Sequence, residues 1–161
     1  MILETLLVTA PDWAVRHSTV LIPIVPLIVA PVLAMSPSGR LAWLISIATT
    51  AASLYFALLT LAIVQSTTGG VISYHIGNWA PPIGIEFRVD SLNAMILLIV
   101  TLMGFLASIF SWPTIIAEIG KEKAGLFLCA FLLCFAGLCG VASTGDAFNL
   151  FVFLEISSLA T

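Results

Sequence analysis

Apolar runs separated by short polar segments repeat along this chain, and the charged residues mark where each run stops. A charge near the centre of a bilayer costs about 2.5–3.5 kcal/mol on insertion scales, so uncharged stretches of about 20 residues read as membrane spans. The first runs from about Ser18 to Met35 and contains Pro23, Pro26 and Pro31. It should be kinked, with neighbouring helices re-satisfying the carbonyls that proline frees. The second, Leu41 to about Val64, is rich in Ala, Ser and Thr, which suits a closely packed interior helix. The third starts at Ser91 and reaches about Phe110, with Asp90 and Ser91 as N-cap candidates. Pro113 should then break helix continuity ahead of the polar segment Ser111–Lys123. The fourth covers about Ala124 to Val141. A short turn, ASTGD, leads into a fifth that begins near Asp146 and is still running at Thr161. Its 16 residues make about 24 Å of helix, less than the roughly 30 Å hydrocarbon core, so the end looks cut.

Between the second and third runs the period changes. Ile85, Phe87 and Val89 alternate with Glu86, Arg88 and Asp90, the period-two signature of a half-buried strand. VISYHI can pair with it across the turn-rich GNWAPPIG, which predicts an interfacial β-hairpin over about residues 71–90. The expected fold is therefore an all-α polytopic membrane protein with about five transmembrane helices, a short hairpin between helices 2 and 3, and one membrane domain over residues 1–161.

Composition agrees: 61% of the 161 residues are hydrophobic and 8% charged, against about 25% charged in soluble domains. No stretch is left for a soluble domain. No basic patch suggests a nucleic-acid partner. No nucleophile with a nearby base, phosphate loop or metal-ligand cluster suggests an enzyme, cofactor or metal site. Residues 1–17 carry Glu4 and Asp12 against Arg16, unlike the positive n-region of a secretory leader. Cys129, Cys134 and Cys139 recur at intervals of five, about 140° apart around a helix, and read as packing residues. Trp43 and Trp112 sit at span ends, where interfacial aromatics gather. One side of the membrane holds Arg40, Lys121 and Lys123, the other Arg16 and Arg88. The positive-inside rule then puts the N-terminus and hairpin outside a cell membrane.

Glu155 is the residue out of place, nine positions into the fifth span between FNLFVFL and ISSLA. Intramembrane ionisable residues are rare and commonly mark ion or proton pathways. Burial disfavours the charged carboxylate and a nearby cation favours it, so a glutamate held between the two can load and unload a proton. The alternative is a structural acid hydrogen-bonded across helices, or a fifth helix lying at the interface. No Lys, Arg or His falls inside a predicted span, so a cationic partner would have to come from another polypeptide. Asp146 is most simply a residue favoured by the helix N-terminus, with proton entry as the alternative. Asn149 could bond a neighbouring helix. Ser158, at i+3 from Glu155, could orient the carboxylate or bond its own backbone. His17 and His75 suit surface or capping roles.

The run GDAFNLFVFLEISSLA, Gly145–Ala160, resembles the fifth-helix signature of the antiporter-like membrane subunits found in Mrp-type multisubunit sodium/proton antiporters and in respiratory NADH:quinone oxidoreductase. GNWAPPIGIEFRVDSLNAMILLIV, Gly77–Val100, is similar to that family's hairpin and third helix, and the wording is nearest to the D subunit of Mrp antiporters. The two segments cover about 40 of the 161 residues. The resemblance implies that Glu155 is the proton-binding glutamate, paired in the family with a lysine on a later helix. It implies partners too: other subunits of an antiporter or respiratory membrane complex, including a chain that supplies the missing helices and lysine. The sequence corresponds to roughly the first third of such a subunit. Three functions follow as expectations: a subunit or fragment of a sodium/proton antiporter, a proton-translocating respiratory subunit, or an assembly component without ion traffic.

Overall fold

The computed structural model describes residues 2–36, 38–79 and 84–161. A short helix α1 (Ile2–Thr9) precedes α2 (Asp12–Ala34), α3 (Gly39–Ser66), the strands β1 (Val71–His75) and β2 (Glu86–Asp90), then α4 (Ser91–Thr114), α5 (Ala124–Ser143) and α6 (Ala147–Leu159). Helices α2, α3, α4 with its continuation to Ile119, and α5 are long and apolar enough to cross a membrane, while α6 is apolar but shorter. At 13 residues α6 is about 20 Å long. The chain is a multi-pass membrane protein with a two-stranded hairpin between its second and third long helices.

Helix α2 packs between α3 and α5, α3 packs on α4, and α6 packs on α5. A core of small and branched residues, among them Ile22, Leu33, Ala57, Leu97, Leu128 and Leu132, fills the centre. The expected kink-prone run holds as one helix through Pro23, Pro26 and Pro31. Pro26 cannot bond the Ile22 carbonyl, and the buried Ser53 hydroxyl of α3 donates to that oxygen at 3.2 Å. Interior hydroxyls thus replace lost backbone bonds where water cannot. Thr50 and Ser108 join α3 to α4 in the same way at 2.9 Å.

Two local expectations are corrected. The first long helix starts at Asp12 rather than near Ser18, because a charged residue close to a helix end can snorkel to the interface and need not end the helix. Arg16 and His17 are therefore helical. Residues 2–9 form a helix of their own, too short to register as a span. Pro113 does not break α4: the helix runs through it to Thr114 and continues as one wide turn over Ile115–Ile119, closed by Gly120 N–H donating to the Ile115 carbonyl at 2.9 Å. A wide turn, not a break, follows the proline.

The strands pair antiparallel, Val71 opposite Asp90 and His75 opposite Glu86. Phe87 and Val89 are buried while Arg88 and Asp90 face outward, as the alternation requires. Ile76 leaves the strand for a tight turn in which Gly77 takes φ +67°, a conformation glycine adopts without steric cost. Residues 80–83 of the connecting turn, with its proline pair, lie outside the described residues. His17 Nδ1 and the Tyr74 hydroxyl, 2.8 Å apart, tie the hairpin to α2. The hairpin caps the end of the bundle where α3 and α5 finish and α4 and α6 begin.

Candidate functional site

The polar residues at the start of α6 form a single turn. Thr144 closes α5, its amide donating to the Gly140 carbonyl at 3.0 Å. Its hydroxyl then receives the Asp146 amide at 3.3 Å and the Asn149 side-chain amide at 3.1 Å. The Asp146 carboxylate accepts the Phe148 amide at 3.2 Å. Asp146 is thus the N-cap of α6, satisfying a first-turn donor, and Asn149, only 6% exposed, pins that turn from below. Strand β2 joins the same turn: Gly145 N–H donates to the Glu86 carbonyl at 2.9 Å, and Phe87 bridges to Thr144.

From this anchor α6 lies against α5 along one face. Phe153 is 5% exposed and meets the Phe87 ring edge-on, centroids 6.2 Å apart. Gly137 and Gly140 of α5 make that approach possible: a methyl at Gly137 would stand 2.7 Å from Ser157 Cβ and 2.8 Å from the Phe153 carbonyl, and one at Gly140 would meet the Phe153 ring. Small residues at a helix contact let backbones approach closely in membranes. Thr144, Gly137, Gly140 and Phe153 were not among the sequence candidates, although the Gly137–Gly140 spacing carries the signal.

Glu155 stands elsewhere. Six residues beyond Asn149 is about 120° around the helix from it, and the side chain is exposed, on the face α5 does not cover. Phe148, Phe151 and Leu159 share the uncovered sides, 71%, 62% and 83% exposed. Nine residues from Asp146, the carboxylate is about 14 Å along the helix. The turn at Asp146 and Asn149 and the carboxylate of Glu155 are not brought together. Ser158 donates to the Glu155 backbone carbonyl at 3.2 Å, so it serves the helix rather than the carboxylate. Among the described residues the one ion pair is His75–Glu86 at 3.7 Å, and none of them is recorded bonding the Glu155 carboxylate. Among the described residues Glu155 is left exposed, as expected if its partner comes from another polypeptide.

No family model matches the chain. Over 87 residues, 54% of this chain and 17% of the relative, it is 44% identical to the N subunit of the NADH-quinone oxidoreductase of Desulforudis audaxviator (strain MP104C). Over 158 residues, 93% of this chain and 28% of the relative, it is 33% identical to the D subunit of a probable K(+)/H(+) antiporter of Rhizobium meliloti (strain 1021). Its fold superposes with TM-score 0.74 and 28% identity on a chain of the Mrp complex from Dietzia sp. DQ12-45-1b, covering 91% of this chain and 26% of that one. The chain is similar in sequence and fold to part of the antiporter-like membrane subunits. It spans less than a third of the length of each of these relatives. It combines the hairpin, the Asp146 turn and the acid of α6 in one membrane segment, with the acid exposed on the side α5 does not cover.

Proposed function

We propose that this chain works within a multisubunit monovalent cation/proton antiporter of the cell membrane, with Glu155 as the group that binds and releases the proton. The observation that carries the reading is an ionisable side chain at mid-depth of an apolar helix, on a face its own bundle leaves open. A lone carboxylate turned toward acyl chains is unfavourable by a few kcal/mol, so the face needs protein across it, and a cationic side chain there would make proton loading reversible. That protein is further helices of the same subunit type or a neighbouring subunit. Residues 1–161 act as one membrane domain, the early part of such a subunit. The N-terminus and hairpin lie on the extracytoplasmic side, following the distribution of Arg40, Lys121 and Lys123. Asp146 and Asn149 hold the start of α6 so that Glu155 meets its partner in a fixed direction.

The cation is Na+, following the resemblance to Mrp antiporters; the Rhizobium relative's name makes K+ the competing choice. Everted vesicles carrying the assembled complex test both points. Glu155→Gln should abolish sodium-dependent proton movement while leaving the complex assembled, and unchanged flux would refute the assignment. A gradient discharged by K+ but not Na+ would reassign the cation. A second reading, a proton-pumping subunit of a quinone-linked complex, draws on the 44% identity to the NADH-quinone oxidoreductase relative. It predicts proton movement that needs quinone reduction and ignores added Na+.

A further inference from the structure

The end of the bundle opposite the hairpin carries a cavity of about 470 Å3 lined by Ser38, Gly39, Arg40, Trp112, Lys121 and Glu122. That volume falls in the range of small-ligand sites, roughly 300–1,000 Å3. Its construction is specific. Gly39 lets the first turn of α3 approach the loop before α5 so closely that a methyl there would stand 2.9 Å from both the Lys121 carbonyl and Ala124 Cβ. This contact brings Lys121 beside Arg40. The Trp43 and Trp112 rings, 5.4 Å apart, stand at the same end, and the Trp43 indole N–H donates to the Ser108 carbonyl at 2.8 Å. Indole pairs so held sit at headgroup level. Neither Arg40 nor Lys121 is in an ion pair among the described residues. Ser38 leaves the first-turn amides of α3 without a side-chain cap.

Two unpaired cations and Glu122 give the cavity one net positive charge at headgroup level, beside a hydrocarbon phase. We propose that it seats the phosphodiester headgroup of a monoanionic phospholipid, held by Arg40 and Lys121, with the acyl chains passing the Trp43–Trp112 pair. Basic pockets between membrane helices take anionic headgroups in this way. The net charge matches a single phosphodiester, and Glu122 disfavours more highly charged headgroups. Residues Arg40 and Lys121, left without a role by the transport reading, gain one that does not depend on it.

The test uses the full chain in phosphatidylcholine vesicles, with Trp13→Phe and Trp79→Phe so that only Trp43 and Trp112 fluoresce. Bromine-labelled phosphatidylglycerol should quench them with about five-fold higher apparent affinity than bromine-labelled phosphatidylcholine, the effect of roughly one net charge at the membrane surface. Arg40→Gln with Lys121→Gln should bring that ratio to one or below, and Glu122→Gln should raise it. All three side chains are exposed, and unchanged helical circular dichroism checks that the bundle persists. Equal quenching by the two lipids, a preference that survives the double substitution, or bromine-labelled phosphatidylethanolamine matching phosphatidylglycerol would each overturn the proposal. So would loss of the preference on adding millimolar inorganic phosphate, which would make the cavity a small-anion site.

Discussion

Gly137→Ala is the smallest change that should turn the face bearing Glu155. The added methyl would stand 2.7 Å from Ser157 Cβ, 2.8 Å from the Phe153 carbonyl and 2.9 Å from the Ser157 amide nitrogen. Ordinary carbon contacts lie at about 3.5–4.0 Å, and none of the three atoms is the free end of a flexible side chain. Helix α6 must therefore shift by close to an ångström, and overpacking of this kind costs about 1–3 kcal/mol. The Asp146 cap and Asn149 hold the far end of α6, so the displacement is a pivot about Thr144 rather than a release. Thermal unfolding in detergent reads the cost. With about 2–4 °C per kcal/mol for a chain of this size, Tm should fall by at least about 2 °C. Leu138→Ala, at a side chain 48% exposed, should leave it within about 1 °C. In the assembled complex Gly137→Ala should also impair sodium-dependent proton movement. A Tm equal to that of the unsubstituted chain would refute the claim that Gly137 sets the α5–α6 contact.

Other substitutions probe the remaining joints. Phe87→Ala removes the ring that meets Phe153 and should cost about 3–5 kcal/mol, seen as faster proteolysis within the hairpin. Ser53→Ala leaves the Ile22 carbonyl opposite Pro26 unpartnered and should lower stability by roughly 0.6–1.7 kcal/mol, read by thermal unfolding. Asp146→Ala should cost about 1 kcal/mol as a lost cap. Asp146→Asn, still able to accept the Phe148 amide, should keep both stability and proton movement; its failure to transport would give Asp146 a part in proton entry.

The long helices and the hairpin were legible because two physical signals punctuate the chain: charges such as Arg40 and Asp90 at the edges of apolar runs, and a change of period from helical to two at Ile85–Asp90. Helix α1 was not, since eight residues ending before Pro11 fall below any span length. The start of α2 was displaced because Asp12 and Arg16 bound the bilayer core, not the helix. Pro113 misled because a proline inside a membrane helix can be tolerated without ending it. For the site, the sequence put an acid at membrane depth but not its direction. Helix α6 scatters Asn149, Glu155, Ser157 and Ser158 around its circumference, so nothing in its own pattern says which face docks. The decision lies on α5, in Gly137 and Gly140, and in β2, where Phe87 meets Phe153. Polar side chains were likewise ambiguous: Ser158 bonds the backbone and Asn149 bonds Thr144, partners that only the folded turn between α5 and α6 brings within reach.

The central claim is that Glu155 carries the exchanged proton. Infrared difference spectroscopy of the assembled complex, recorded as Na+ is added, tests it directly. A protonated carboxylic acid band should diminish on Na+ addition and be missing from the Glu155→Gln spectrum. Identical difference spectra from the two proteins would contradict it.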